Sequence, residues 1–386
     1  MGSTRRSSFR IALVASLAIA SLVVVVPASG AATSKADAAL QRALDAFVKR
    51  SDGPHGISVV VQSGADPVQL TAGVADVATE QAWGVTDEMR MASVAKAFSG
   101  AAAVSAVADG KLTLDSTVGE ILPSQSATWA KITLAQLLQH TSGIPDFSKN
   151  PAFGEAVGAS LTVPPPPDQL PTYAADQPLL FPPGTKYAYS NTDNILVGLM
   201  VAAVDGTSYE QSLMTRVYQP LSLAGTSLPV GPELTTPFTH GYAPDPPNAD
   251  EDVSVVLAAG WSWASGGVVS TPQDANQFVR GYASGKLTNA ATQKLQFTFR
   301  PGKSEPTGPG TNSAGLGIFR YQTSCGTVYG HTGNTLGYTQ FIASTKDGAR
   351  STVVSINSQL TPDRNPKIFP ALRKIYGLAV CAALKG

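Results

Sequence analysis

Apolar positions recur at helical spacing near both ends of the chain. Leu40, Leu44, Phe47 and Val48 mark one face of a helix, and Ser34 stands where an N-cap would open it. Gly53-Pro54 then breaks that helix. Phe369, Leu372, Ile375, Tyr376 and Ala379 repeat the spacing in a terminal helix predicted over about residues 367–383. The runs Ile57 to Val61 and Val68 to Val74 read as paired strands. A further helix is predicted from near Ser93 to Asp109, with Gly110 as its stop. Strand signals are few from 111 to about 255. That stretch holds helical patches at Leu134 to Leu138, Ile195 to Val204 and Tyr209 to Val217, separated by turn chemistry. Pro164 to Pro167 and Pro244 to Asp250 read as surface loops. Strand patterns return at Leu316 to Tyr321, Thr327 to Gly330, Gly337 to Ala343 and Ser351 to Ile356. Short turns between successive strands argue an antiparallel sheet. The predicted fold class is α/β (α+β), with that sheet flanked by the N- and C-terminal helices and an all-helical inserted domain. Residues 32–110 and 256–386 form the discontinuous α/β domain in this reading, and 111–255 the helical one.

The first residues follow a different pattern. Arg5, Arg6 and Arg10 precede sixteen uncharged residues, Ile11 to Val26, then Pro27 and the small residues Ala28 to Ala32. Residues 1–31 therefore read as a signal peptide. A membrane anchor is the alternative, but sixteen residues fall short of the roughly 18–20 needed to span. Arg5-Arg6 leaves open whether export uses the twin-arginine route. A secreted, extracytoplasmic location is the expectation. Export in turn bears on Cys325 and Cys381, an even pair that reads as a disulfide in an oxidising compartment, two free buried thiols being the alternative.

Charge narrows the function classes. Lys plus Arg and Asp plus Glu each number 27, so the net charge is zero and the footprint of a nucleic-acid binder is absent. Hydrophobic residues make up 43 %, which excludes general disorder. Two Cys, four scattered His (His55, His140, His240, His331) and no H-E-x-x-H build no metal site. No cofactor is expected. The expected partner is a small-molecule or peptide substrate, and the expected state a monomer.

Three strings carry candidate chemistry. In Ser93-Val94-Ala95-Lys96 the Ser and Lys share a helix face. A Lys whose pKa is lowered by burial can take the Ser proton. With 36 Ser and 14 Lys in the chain, chance alone supplies about one such spacing, so the apolar helix behind it matters more. A capping Ser and a solvated Lys remain the bland alternative. The second string is Tyr189-Ser190-Asn191. A Tyr there acts as a base only if cations lower its pKa from about 10, and Asn can orient both a Lys and a substrate amide. A Tyr packed on its ring is the alternative. The third is His331-Thr332-Gly333 at a strand end, suited to a substrate laid alongside as an added strand or to an ordinary turn. His140-Thr141-Ser142-Gly143 reads as a structural loop. No G-x-S-x-G elbow is present, and Gly302-Lys303-Ser304 fails as a P-loop because position 297 is Phe.

In order and spacing, about 95 and 140 residues apart, the three strings resemble the serine penicillin-recognising superfamily. Leu137 to Gly143, Pro183 to Asn191, Tyr329 to Gly333 and Ser265 to Thr271 support the resemblance, which runs from about residue 37 to 383. His in the third string is most similar to the secreted D-alanyl-D-alanine carboxypeptidase/transpeptidase type, as are Cys325, a Cys in the terminal helix and Trp261. The resemblance implies a β-lactamase/transpeptidase-like fold and a covalent acyl-enzyme. It implies Ser93 as nucleophile, Lys96 and Tyr189 in the proton work, and Asn191 orienting the substrate. The N–H groups of Ser93 and Asn334 would form the oxyanion hole, worth about 3–4 kcal/mol per donor. His331 and Thr332 would hold the substrate and put positive potential near Tyr189, while Trp261 and Phe153 would wall the pocket.

Two positions depart from the carboxypeptidase pattern. Phe319 stands where a carboxylate-binding Arg is expected, and Arg320 would face the other side of its strand. Asn334 stands where a second Thr is expected. The resemblance therefore admits a D,D-carboxypeptidase, a β-lactamase, and an esterase or D-amino-acid amidase on the same scaffold. A non-catalytic binding module is disfavoured by the presence of Ser93, Lys96, Tyr189 and Asn191 together.

Overall fold

Ser34 opens the first helix as its spacing predicts. Its hydroxyl accepts from the Asp37 N–H, and the Asp37 carboxylate accepts from the Ser34 N–H, closing a capping box on α1 (Lys35–Val48). The computed structural model describes residues 1–2, 34–243 and 250–386. The expected signal segment beyond Gly2, and the loop expected at Pro244 to Asp250 up to its last residue, lie outside the described residues.

Ten strands follow. They are β1 (Gly56–Gln62), β2 (Val68–Gly73), β3 (Met89–Arg90), β4 (Val269–Ser270), β5 (Arg300–Pro301) and β6 (Thr311–Ala314). The last four are β7 (Phe319–Thr323), β8 (Gly326–Thr335), β9 (Tyr338–Ser344) and β10 (Ser351–Ile356). Eight of them build one antiparallel sheet in the order β2-β1-β10-β9-β8-β7-β6-β5. The strands β3 and β4 pair separately.

The sheet is buried on both faces, and the period-2 alternation divides it cleanly. Ile57, Val59, Val61, Phe341 and Ala343 pack with α1 and the terminal helix Phe369–Lys385. Val60, Tyr338 and Ile342 face the opposite core, built on the helices that fill the middle of the chain. The helix α2 (Ala95–Ala108) runs through that core. Ala97, Phe98, Ala101, Ala102 and Val104 are all buried, which is why it shows no polar face. It ends before Gly110, whose φ of 74° an L side chain would resist. The helix Asn191–Asp205 packs against it. Residues 34–386 form one compact unit.

An antiparallel sheet covered by the terminal helices is the architecture expected from pattern; both helices lie on the same face. The pattern passes over β5, β6 and the helices Pro272–Ala283 and Ala290–Gln296. Thr311-Asn312-Ser313-Ala314 has no apolar alternation, and Pro301, Pro306 and Pro309 around it read as loop. Cys325, in the turn between β7 and β8, is bridged to Cys381 in the terminal helix, with Cα atoms 5.2 Å apart. Among the described residues no helix is long and apolar enough to cross a membrane, and no acidic, His or Cys group could hold a metal ion.

Candidate active site

Ser93 sits on a short 3-10 turn, Ala92–Val94, that leads directly into α2. The turn is held between two strands. Met91 N–H donates to Val268 O at 2.9 Å on one side. On the other, β8 passes so close that a Cβ on Gly333 would lie 2.5 Å from Met91 O and 3.2 Å from Ser93 N. Only Gly allows that approach. Ala92 takes a φ of 50°, a strained left-handed conformation for a residue with a Cβ. The chain tolerates this strain one residue before the candidate nucleophile.

Lys96 lies on the first turn of α2 and is 1 % exposed. Its Nζ donates to Ser93 Oγ at 3.2 Å, to Asn191 Oδ1 at 2.6 Å and to Ser265 O at 2.6 Å. Burial pulls its pKa down to about 7, with Asp146, Glu305 and Asp193 opposing the shift. Neutral pH therefore leaves a substantial fraction of Lys96 as the free amine. Asn191 opens the helix Asn191–Asp205, and its amide bonds three side chains. Its Oδ1 faces Lys96, while Nδ2 donates to the Asp146 carboxylate at 3.0 and 3.2 Å and to Ser148 Oγ at 3.0 Å. Sequence reading missed Asp146 and Ser148. The one available signal was position, since Asp146 directly follows the His140 to Pro145 string.

The Tyr189 ring lies under Lys96, with Nζ 5.0 Å from its centroid. Its hydroxyl is buried and has no hydrogen-bond partner among the described residues. Burial raises its pKa well above the ordinary value. Ser93 is close enough to offset part of that, without the geometry of a full hydrogen bond. The phenol thus stays protonated, and Lys96 is the stronger base of the two. The ring rests on His140, centroids 4.6 Å apart. His140 Nδ1 is 2.9 Å from Asp193 Oδ2, and Ser142 Oγ donates to Asp193 Oδ1 at 2.5 Å. Burial pushes His140 down to about 3, so its imidazole stays neutral, and burial pushes the Asp193 carboxyl up.

The third string behaves differently from expectation. His331 is 1 % exposed, and burial lowers its pKa to about 3. It is a neutral imidazole and supplies no positive potential to Tyr189, 6.4 Å away ring to ring. Thr332 is fully buried and its hydroxyl donates to Pro306 O at 2.5 Å, so it is not presented to a substrate. Asn334 turns its amide away, donating to Thr339 Oγ1 and Leu360 O. That leaves its main chain, next to Gly333, as the part that borders Ser93. Phe319 is 2 % exposed and packs edge-on against His331 at 5.0 Å. It is a packing residue, and Arg320 lies over the Phe299 ring instead of entering the site.

Two cavities meet at this constellation. One, about 440 Å³, contains Ser93, Asn191 and Asn334 and is walled by Phe153 and Trp261, whose rings meet edge to face at 5.6 Å. The other, about 410 Å³, is lined by Tyr189, Tyr187, Asp146, Lys303 and Glu305. Both volumes suit small ligands. Neither is lined by His331, Thr332 or Phe319.

The sequence also matches the Beta-lactamase family along residues 40–376, nearly the whole described chain. The chain belongs to the Beta-lactamase family. Within it, the chain is 31 % identical over 193 residues to a Beta-lactamase of Escherichia coli (strain K12), covering 48 % of this chain and 47 % of that one. It spans about half the length of the curated relatives it matches. A D-stereospecific amidohydrolase from Streptomyces sp. superposes with a TM-score of 0.75 at 29 % identity, covering 86 % of this chain and 97 % of that one. The D-amino acid amidase of Ochrobactrum anthropi SV3, complexed with L-phenylalanine amide, shares the fold with a TM-score of 0.75 at 20 % identity, over 89 % and 98 %.

Proposed function

We propose that the protein is an exported serine hydrolase that cleaves amides and esters through an acyl-enzyme on Ser93. The observation that carries this reading is Lys96, buried, contacting Ser93 Oγ and able to be neutral near pH 7. Neutral Lys96 takes the Ser93 proton as Oγ bonds to the substrate carbonyl carbon. The oxyanion forms against the Ser93 and Asn334 N–H groups. The bond from carbon to the leaving nitrogen or oxygen then breaks. Protonated Tyr189 gives its proton to that leaving atom and is reprotonated from Lys96. Water reverses the sequence: it loses a proton to the Lys96–Tyr189 pair, attacks the ester carbon, and Ser93 leaves with a proton as the acid product departs.

Within this class we favour an amidase or esterase over a D-alanyl-D-alanine carboxypeptidase. A carboxypeptidase must hold a free carboxylate beside the scissile bond. Phe319, His331 and Thr332, the positions expected near that carboxylate, offer no cation and no free hydroxyl, and in the cavity beside Tyr189 the cations Lys149 and Lys303 share the lining with the carboxylates Asp146 and Glu305. The likeness to a D-stereospecific amidohydrolase supports the same choice. The test is turnover of D-phenylalanine amide, p-nitrophenyl butyrate and a D-Ala-D-Ala-terminated peptide by wild type and Ser93→Ala. Amide and ester hydrolysis lost in Ser93→Ala, with the peptide untouched, is the expected result. Peptide cleavage at a rate matching the amide would restore the carboxypeptidase, and activity surviving Ser93→Ala would refute the nucleophile.

A further inference from the structure

In the acyl-enzyme reading, the two cavities would receive the two sides of a substrate. Tyr189, the group placed to protonate the leaving atom, lines the smaller cavity with Lys303 and Glu305. The leaving group therefore departs on that side. The acyl portion lies in the larger cavity, with Ser93 and Asn334 at its base and Phe153 and Trp261 as its walls. Among the described residues, one charged side chain lines this cavity, Arg364.

Arg364 stands in the segment between β10 and the terminal helix. The main chain there is anchored: Arg364 N–H donates to Thr361 Oγ1, and Asn365 N–H to Thr361 O at 2.8 Å. The guanidinium itself makes no ion pair or hydrogen bond with any described residue. Arg364 itself is exposed, whereas the buried arginines are paired. Arg216 is paired with Asp205 and Asp109, and Arg90 with the carbonyls of Ser254 and Pro232. A solvated surface Arg needs no partner, but this one shares a cavity wall with the nucleophile. Its planar fork is suited to a carboxylate. Gln359 lies in the same wall and adds an amide donor.

We propose that Arg364 makes the enzyme selective for substrates whose acyl portion ends in a carboxylate. The idea rests on the acyl-enzyme reading above and refines its substrate class. It also assigns a place to the charge that the Phe319 position lacks: the anion is read on the acyl side of the scissile bond.

The experiment compares three p-nitrophenyl esters of equal acyl length: the adipate monoester, the caproate and the ε-aminocaproate. Each is assayed with the full chain, Arg364→Ala, Arg364→Glu and Ser93→Ala. The readout is the ratio of kcat/KM values between esters, which a general loss of activity does not move. Wild type is expected to prefer the adipate over the caproate by about tenfold, the scale of one charge-assisted contact. Arg364→Ala should bring the ratio near one, and Arg364→Glu should turn the preference to the ε-aminocaproate. An adipate to caproate ratio that is equal in wild type and both Arg364 variants overturns the proposal. Ester turnover that persists in Ser93→Ala, or none with any ester in wild type, overturns the acyl-enzyme reading itself and is thereby told apart from failure of Arg364 alone.

Discussion

Lys96 sets the pH response of the site. With its pKa pulled to about 7 from 10.5, it is protonated below neutrality and cannot take the Ser93 proton. In an assay from pH 5 to 9, kcat/KM should rise with pH and level off above an inflection near 7. Lys96→Arg, which stays charged, should lose about a hundredfold or more, the usual scale of acid–base catalysis. A flat profile would remove Lys96 from the proton path. The second residue is Tyr189. Its buried hydroxyl lacks a partner, so Tyr189→Phe leaves no new orphan and should cost little stability. Its kinetic effect should depend on the leaving group. A p-nitrophenolate needs no proton, whereas an amine does, so amide turnover should fall by about a hundredfold and aryl ester turnover by far less. Equal losses on both would show that Tyr189 works by packing alone. These two roles were legible at the level of residue type. Their division was not, because burial, which lowers the Lys and raises the Tyr, depends on contacts from Asn191 and Ser265 far along the chain.

At the scale of elements, the site is the meeting of a strained turn and a strand. The turn Ala92–Val94 and β8 touch where Gly333 has no Cβ. Gly333→Ala would drive a methyl group into Met91 O and push the strand from the nucleophile. The expected outcome is at least a tenfold loss of kcat, with a destabilisation of about 1–3 kcal/mol from overpacking. Activity equal to wild type would mean that β8 does not border the reaction. The motif strings predicted that these segments meet, and α1, α2, the terminal helix and most of the sheet followed from apolar spacing, while β5, β6 and the helices Pro272–Ala283 and Ala290–Gln296 did not. Two kinds of feature were hidden. Asp146 and Ser148 carry no periodicity and belong to the site only through Asn191. His331 and Thr332 are more buried than their expected roles imply, because a strand inside a sheet buries what it carries. Thr332 pairs with Phe341 of β9 and His331 with Ile342, and neither residue lines either of the two cavities at the site. For the same reason Phe319→Arg would bury a guanidinium beside His331 and destabilise the fold rather than build a carboxylate clamp.

The molecule as a whole encloses two neutral histidines. His140 and His331 both hold pKa values near 3, against 6.5 for the unfolded chain. Between pH 6.5 and about 3 the unfolded state binds more protons at these sites, so their effect on stability is lost progressively as pH falls. Asp193, shifted upward, acts in the opposite direction, so a difference between variants is the clean readout. The Tm advantage of wild type over His331→Gln should shrink from pH 7 to pH 4. An advantage independent of pH would mean that His331 is already charged or exposed. The scaffold that buries these groups is a sheet covered on both faces, and the same burial depresses Lys96. Stability and chemistry here share one cause: a polar cluster held dry between the sheet and α2. The proposed mechanism requires acylation at Ser93 Oγ. Intact-mass analysis after incubation with benzylpenicillin, with Ser93→Ala beside it, tests this most directly. The predicted result is a penicilloyl adduct on wild type, or penicillin consumed without one, and neither in the variant. The same adduct, or the same loss of penicillin, with Ser93→Ala would contradict it.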